Sequence, residues 1–325
     1  MNSREVVRRA IEFQTPDRLP VIFPRFGISD THGAGWNQIG TGPRDRRESL
    51  DEWGCLWARS EIDNMGQVKG HPLIDWSNLE HYRWPDPDSP HFYDGMERKF
   101  EGSDSKYVTT GIFMLLFERM HALRGFQNVL EDLYLERERV EALADHIVAF
   151  DLRIIDNIAS RFPGQIQGFS YSDDWGSQKD SFISQHLWHT FFLPRYRRIS
   201  DACHARGWHV WMHSCGKINR LLPDLIEAGI DVLDLEQPRV LGIEEVGRQF
   251  AGRVCFCSGC DIQRTLPFGS ENEIRNEAKM LLDYWGTDRG GFLLADDEND
   301  QDLGTPLEKK RMALRAFLEF DRWRK

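Results

Sequence analysis

Short apolar runs alternate along the chain with longer segments of helical periodicity, most clearly from residue 105 onward. The apolar runs predict strands at residues 106–113, 165–171, 208–213, 230–235, 253–258 and 291–295. The periodic segments predict helices at residues 137–161, 185–206, 218–228, 243–250, 271–285 and 307–324. Residues 20–23 and a short candidate near Leu56 raise the number of predicted strands to about eight.

This alternation of strands and helices is typical of right-handed βαβ units, which build a parallel sheet. Eight such units close into a (β/α)8 TIM barrel, so the predicted fold is an α/β barrel with one domain over residues 1–325. Residues 27–89 are rich in Gly, Pro, Asp and Trp and are expected to form loops over the N-terminal half. Because barrel enzymes place their active sites at the C-terminal ends of the strands, polar residues at those ends are candidates for chemistry.

One predicted strand ends in His213-Ser214-Cys215-Gly216, directly before a turn and a helix. Side chains two residues apart on a strand point to the same side, so the His213 ring and the Cys215 sulfur are expected to converge at the barrel mouth. Such a pair is half of a zinc site, and catalytic zinc keeps one coordination position open for substrate. The alternative is a hydrogen-bonded histidine beside a small buried thiol.

Further polar residues follow other predicted strands. Asp173, Asp174 and Gln178 come after the strand that ends near residue 171, where they could bind a cation, orient a substrate or transfer a proton. The alternative for these residues is a helix N-cap in a solvated turn. Glu236 follows the strand at residues 230–235 and is a weaker candidate for substrate contact.

Cysteines and carboxylates offer several choices for a third metal ligand. Cys257 and Cys260 have the C-x-x-C spacing of zinc or redox sites, but the sequence lacks the second C-x-x-C that a four-cysteine zinc site needs. Cys260 lies nearest the expected strand end and is the better candidate of the two. Asp296 and Asp297 begin an acidic run after the last strand, and Glu118 follows the third strand. Each could complete a metal site, whereas a solvated loop is the alternative for the acidic run.

Composition limits the classes of partner and compartment. The net charge of −11 at pH 7 disfavours nucleic acid and anionic membranes as main partners. No apolar run approaches the roughly 18 residues of a membrane-spanning helix, and residues 1–9 lack the apolar core of a signal peptide. The six cysteines are therefore expected to be thiols or ligands in a cytoplasmic protein.

Several short motifs, taken in order, resemble the uroporphyrinogen decarboxylase superfamily over nearly the whole chain. They are residues 4–10 (Arg-Glu-Val-Val-Arg-Arg-Ala), 16–21 (Pro-Asp-Arg-Leu-Pro-Val), 123–125 (Leu-Arg-Gly), 173–176 (Asp-Asp-Trp-Gly), 213–216 (His-Ser-Cys-Gly), 228–233 (Ala-Gly-Ile-Asp-Val-Leu) and 290–292 (Gly-Gly-Phe). The fold of that superfamily is the (β/α)8 barrel, in agreement with the strand count.

The resemblance favours one branch of the superfamily over another. True uroporphyrinogen decarboxylases carry an Arg-Gln-Ala-Gly-Arg-Tyr element near the first strand, and here only Arg25 could bind the carboxylates of that substrate. The chain is more similar to zinc-dependent methyltransferases that act with corrinoid proteins, whose zinc is held by a His-x-Cys pair and a third ligand, often a cysteine after the last strand. Asp296 and Asp297 stand where that cysteine is expected, so a carboxylate replaces it or Cys260 reaches in from the previous strand.

This resemblance implies an enzyme that moves a methyl group between an oxygen, nitrogen or sulfur atom of a small molecule and a corrinoid supplied by a partner protein. The expected zinc ligands are His213, Cys215 and Cys260, the expected catalytic residues are Asp173 and Asp174, and the expected substrate-binding residues are Arg25, Gln178 and Glu236. Two alternatives stay open at this point. One is a metal-free lyase that acts on a carboxylated small molecule with an aspartate as proton donor, and the other is a non-catalytic barrel that binds a small molecule or a partner.

Overall fold

The computed structural model describes residues 1–38, 47–59, 66–296 and 304–324. Its strands are β1 (Val21–Phe23), β2 (Ile28–Ser29), β3 (Thr31–Gly33), β4 (Glu48–Leu50), β5 (Leu56–Ala58), β6 (Gln67–Gly70), β7 (Tyr107–Ile112), β8 (Gly168–Ser172), β9 (His209–His213), β10 (Val232–Asp234), β11 (Cys255–Ser258) and β12 (Phe292–Ala295). Its helices are α1 (Ser3–Ile11), α2 (Phe117–Arg124), α3 (Phe126–Leu135), α4 (Arg137–Arg161), α5 (Gln185–Leu187), α6 (Leu193–His204), α7 (Leu222–Glu227), α8 (Pro238–Leu241), α9 (Ile243–Phe250), α10 (Thr265–Phe268), α11 (Glu271–Tyr284) and α12 (Leu307–Glu319). A π-helical turn, Trp188–Phe192, connects α5 to α6, and 3-10 turns lie at Pro24–Phe26, Trp76–His81, Pro90–Phe92 and Met96–Phe100.

Eight of these strands form a nearly closed parallel barrel in the order β1-β12-β11-β10-β9-β8-β7-β3. Strand β2 pairs with β1 in the antiparallel direction. Asp30 links the two ends of the barrel sheet, because its amide donates to the Val21 carbonyl at 2.7 Å and its carbonyl accepts from the Tyr107 amide at 3.0 Å. The predicted α/β barrel is confirmed.

The second strand of the barrel differs from the prediction. The segment near Leu56 forms strand β5, but β5 pairs with β4 and β6 in a separate antiparallel sheet. Its expected place in the barrel is taken by β3, which pairs with β7. Strand β3 consists of Thr, His and Gly, so it has no apolar alternation from which a strand could be predicted.

Two predicted helices differ in detail from the structure. The segment at 185–206 is helical without a break from Gln185 to His204, but the π-helical turn separates α5 from α6, and Pro194 is the second residue after that turn. The segment at 218–228 becomes helical only at Leu222, with Pro223 in the first turn. Pro223 therefore marks a helix start inside a longer periodic segment, whereas Pro194 marks the change from π-helical to α-helical geometry.

Helix α1 covers the N-terminal end of the barrel. The Arg4 amide donates to the Ser105 carbonyl before β7, and the Gly291 amide before β12 donates to the Ala10 carbonyl. The barrel interior is filled at this end by Val7, Ile11, Tyr107, Trp211, Val232, Cys255, Cys257 and Leu293. Access is thus left to the C-terminal ends of the strands, where β9 ends at His213. No helix in the described ranges has both the length and the apolar character needed to cross a membrane.

Candidate metal centre

His213 and Cys215 meet at the C-terminal end of β9, where Cys215 Sγ lies 3.5 Å from His213 Nε2. A tight turn holds the cysteine there, because Gly216 has a φ of 80° and a Cβ on it would lie 2.1 Å from the Gly176 carbonyl oxygen. Two ligands of one tetrahedral zinc ion, with Zn–N of about 2.0 Å and Zn–S of about 2.3 Å, lie about 3.5 Å apart. The separation of the two side chains therefore fits a zinc ion.

A carboxylate from the loop after β8 joins this pair. Asp174 Oδ1 accepts a hydrogen bond from the Cys215 amide at 2.6 Å and lies 3.9 Å from His213 Nε2. One ligand atom from each of the three residues lies within 4.8 Å of the other two. Thiolate, imidazole and carboxylate are all zinc ligands, and three protein ligands leave a fourth position for substrate. The donor set therefore fits a catalytic zinc ion, with Asp174 as its carboxylate.

Asp234 contacts the His213 ring at its other nitrogen. The two residues are register partners on β10 and β9, and Asp234 Oδ2 lies 3.3 Å from His213 Nδ1. A carboxylate at this position fixes the ring of a metal-binding histidine and leaves Nε2 for the metal. Glu236 lies close to both residues. One ligand atom from each of His213, Asp234 and Glu236 lies within 4.8 Å of the other two.

The neighbouring groups set the charge of the His213–Cys215 pair. Burial alone would lower the pKa of His213, but hydrogen bonds to Asp234 and Cys215 raise that pKa well above its usual range. Burial raises the pKa of the Cys215 thiol against the opposing effect of His213. Zinc binds the deprotonated thiolate and the neutral imidazole, so both shifts oppose metal binding and make it dependent on pH.

Asp173 is fully buried and faces α2. Its carboxylate accepts hydrogen bonds from the amides of Leu116, Phe117 and Glu118 at 3.0, 2.9 and 2.6 Å, and from the Tyr196 hydroxyl. Amides at the start of a helix have no intrahelical acceptor, so Asp173 caps α2 from a distant part of the chain. These contacts support a structural role, and the catalytic role of Asp173 stays a prediction.

Glu118 lies between this cap and the metal-site residues. Ser172 Oγ donates a hydrogen bond to Glu118 Oε2 at 2.7 Å. Burial, together with the negative charges of Asp174 and Asp173, raises the pKa of Glu118 to about 8. Glu118 therefore carries a proton at pH 7 in the metal-free protein, which makes it a weaker candidate ligand than Asp174.

Replacing Glu118 by glutamine should flatten the pH dependence of stability in the metal-free protein. The pKa of Glu118 is about 8 in the folded protein, whereas its ordinary value is 4.5. Between pH 4.5 and about 8 the folded state therefore holds a proton that the unfolded state has lost. The stability from Glu118 is fully present below pH 4.5 and is lost as the pH rises through about 8. Urea unfolding in a chelator at several pH values measures this change, and parallel curves for the wild type and Glu118→Gln would contradict it.

A cavity of about 410 Å³ opens beside the His213–Cys215 pair. His213 and Asp234 contribute to its lining, and Phe113, Tyr171 and Trp211 supply aromatic walls. The residues of the described ranges that line this cavity include no lysine or arginine. Its size and aromatic walls suit a small, partly apolar molecule.

The other residues considered as a third ligand lie elsewhere or outside the described ranges. Cys260 is buried, its Sγ donates to the Ile274 carbonyl of α11 at 3.6 Å, and it belongs to no described group of metal-ligand residues with His213. Asp296 forms a buried ion pair with Lys310 at 2.9 Å. Asp297 lies outside the described residues. Asp174, which the sequence suggested for catalysis, is thus the carboxylate that the fold brings to Cys215.

The predicted substrate-binding residues lie on the C-terminal side of the barrel strands. The side-chain amide of Gln178 donates a hydrogen bond to Gln237 Oε1 at 2.6 Å. The same oxygen accepts a hydrogen bond from the backbone amide of Gly216 at 3.3 Å. Gln178 is therefore linked to the turn that holds the candidate zinc ligands. Arg25 is exposed in the 3-10 turn that directly follows β1.

Sequence reasoning did not identify Asp234, which orients His213. Its signal was present, because Asp234 and Glu236 are two residues apart at the end of β10 and alternate residues share one side of a strand. What the sequence lacked was the register that places Asp234 opposite His213. That register depends on the pairing of β9 with β10, which the local pattern does not specify.

Comparisons with known proteins agree with this architecture. Residues 64–296 match the family described as uroporphyrinogen decarboxylase (URO-D). A methylated-thiol–coenzyme M methyltransferase from Methanosarcina mazei is 26% identical over 143 residues, which are 44% of this chain and only 36% of that protein. A solved structure of a methyltransferase from Methanosarcina mazei has a TM-score of 0.68 at 15% identity, over 98% of this chain and 99% of that chain. The structural similarity shows the same fold.

Proposed function

Because the chain belongs to the uroporphyrinogen decarboxylase (URO-D) family, we propose that it is a zinc-dependent methyltransferase. It would move a methyl group between an oxygen, nitrogen or sulfur atom of a small molecule and a corrinoid held by a partner protein. The observation that carries the proposal is the convergence of Cys215 Sγ, His213 Nε2 and Asp174 Oδ1 at the open end of the barrel. The match to a curated methyltransferase supports the reaction class.

Asp174, His213 and Cys215 would hold the zinc ion, and Asp234 would keep His213 Nε2 directed toward it. Zinc bound there supplies Lewis acidity, which lowers the pKa of a substrate thiol or stabilises a departing oxygen or nitrogen. The cavity beside these residues would bind the body of the substrate against its aromatic walls. The methyl group would then face the open end of the barrel, where a partner protein can approach.

Glu118 would supply a proton near the reacting heteroatom. In the metal-free protein burial and the neighbouring carboxylates raise its pKa to about 8, and a group with a pKa near the working pH is an efficient general acid. Its charge interactions with Asp174 and His213 place it in the electrostatic environment of the candidate ligands. The substrate-binding roles of Arg25 and Gln178 stay predictions.

Decarboxylation of uroporphyrinogen is the alternative that the family description suggests. That substrate carries many carboxylates, which an enzyme would have to pair with arginine or lysine side chains. The described lining of the cavity has neither, and Arg25 is an exposed residue after β1. The described part of the lining therefore offers no recognition of such carboxylates.

Two measurements on the wild-type protein test this proposal. Metal analysis of tag-free protein, purified without added metal, should find zinc bound to the chain. Incubation with cob(I)alamin and a methoxylated aromatic compound, a methylamine, methanol or a methylthiol should form methylcobalamin with at least one donor, above a control without protein. Absence of zinc after reconstitution, together with no methylcobalamin, would overturn the proposal and favour a metal-free lyase.

The Asp234→Asn variant should bind zinc about 10–100-fold more weakly while it keeps the same number of ligands. Asparagine is nearly isosteric, but it removes the negative charge that holds the His213 ring and supports its basicity. Competition with a coloured zinc chelator measures the affinity. Unchanged affinity would show that the contact between Asp234 and His213 does not contribute to a metal site.

A further inference from the structure

A second group of metal-ligand residues lies between the barrel helices, away from His213 and Cys215. His189 belongs to the π-helical turn before α6, and Asp224 and Glu227 are three residues apart on α7. His189 Nδ1 lies 3.2 Å from Asp224 Oδ1. One ligand atom from each of these three residues lies within 4.8 Å of the other two. Residues three apart on a helix share one face, so both carboxylates can approach the same ion.

Asp224 provides an independent indication that a cation binds in this group. The residue is only 4% exposed, and its Oδ2 has no hydrogen-bond partner among the described residues. A buried carboxylate oxygen without a partner is costly, and coordination of a cation would satisfy it. The segment that carries His189 is a π-helical turn, which occurs frequently at functional sites.

Among the described residues, Arg197 is the one lysine or arginine that forms an ion pair with this group. Its Nη2 lies 2.9 Å from Glu227 Oε1, so it neutralises one carboxylate oxygen at the exposed edge of the group. The buried carboxylate of Asp224, in contrast, contacts only the His189 ring in the described hydrogen bonds and ion pairs.

We propose that His189, Asp224 and Glu227 form a second site, which binds a divalent transition-metal ion such as zinc. One imidazole nitrogen and two carboxylate oxygens are a donor set that zinc accepts, whereas magnesium and calcium prefer oxygen ligands alone. An ion there would join the π-helical turn before α6 to α7. It would stabilise the two segments that flank β9 in the sequence, and it does not depend on the proposed methyl transfer.

This proposal is tested by measuring zinc binding in a variant whose His213–Cys215 site is disabled. In the Cys215→Ser background, Zn²⁺ should still bind and raise the midpoint of thermal unfolding. Co²⁺ should give visible d–d absorption without a thiolate-to-metal charge-transfer band, because the second site contains no cysteine. Adding His189→Ala should weaken Zn²⁺ binding at least about tenfold and abolish the thermal shift. Glu227→Gln should have a similar but smaller effect.

His186→Ala is the matched control, because His186 is an exposed histidine of α5 outside the three-residue group. It should leave the zinc affinity and the thermal shift unchanged. Both His189 and Glu227 are exposed, so their replacement is expected to preserve the fold. Equal zinc binding in the His189→Ala and His186→Ala proteins would overturn the second site, whatever the outcome for Cys215.

Discussion

The Cys215→Ser protein should bind zinc at the His213 site more than about 100-fold more weakly. Loss of a residue that only hydrogen-bonds to a metal ligand already costs about 10–100-fold in affinity, and this substitution removes a ligand itself. Zinc is bound by a thiolate, whereas a serine hydroxyl stays protonated near neutral pH and donates less charge to the ion. Methyl transfer to cobalamin should fall by at least a similar factor. Competition with a chelator gives the affinity, and the rate of methylcobalamin formation gives the activity.

The Cys260→Ser variant is the matched control for this prediction. The C-x-x-C spacing made Cys260 a candidate ligand, but the structure directs its thiol toward the Ile274 carbonyl of α11. This variant should retain both zinc and methyl transfer. If Cys260→Ser lost zinc while Cys215→Ser retained it, the ligand set derived from the fold would be wrong.

The difference between these two cysteines shows how far the sequence could predict the site. Cys215 is two residues from His213 at the end of one strand, so the strand period was enough to place the two side chains together. The third candidate ligand, Asp174, follows a different strand and approaches Cys215 through a loop. Its position depends on the pairing of β8 with β9, which no local pattern encodes.

The same limit applies to the barrel itself. Long apolar strands such as β7 and a long amphipathic helix such as α4 were predicted nearly to their ends, because burial on one side imposes a clear period. Strand β3 was missed because its three residues are polar or small, and it is held by its neighbour β7 and not by its own side chains. Strand β5 was predicted, but its three residues could not show which sheet it joins.

Replacing Asp173 by asparagine should lower the free energy of unfolding by about 3 kcal/mol, since hydrogen bonds to a buried charge are worth about 1.5–3 kcal/mol each. At pH 8 the carboxyl group is ionised, because burial raises its pKa only to about 6 against the opposing hydrogen bonds. The Asn side chain keeps the volume but has one acceptor oxygen in place of two. Its NH2 group would then face backbone amides or the Tyr196 hydroxyl, which donate to Asp173 in the wild type.

The neighbouring Asp174→Asn variant separates stability from metal binding. Asp174 is partly exposed, and its described contacts are with the Cys215 amide and the His213 ring. Its replacement should therefore weaken zinc binding and leave the urea midpoint of the metal-free protein nearly unchanged, whereas Asp173→Asn should lower that midpoint. The reverse result, a stable Asp173→Asn protein that binds zinc but lacks methyl transfer, would show that Asp173 contributes to the chemistry, either directly or through Glu118, whose amide it holds.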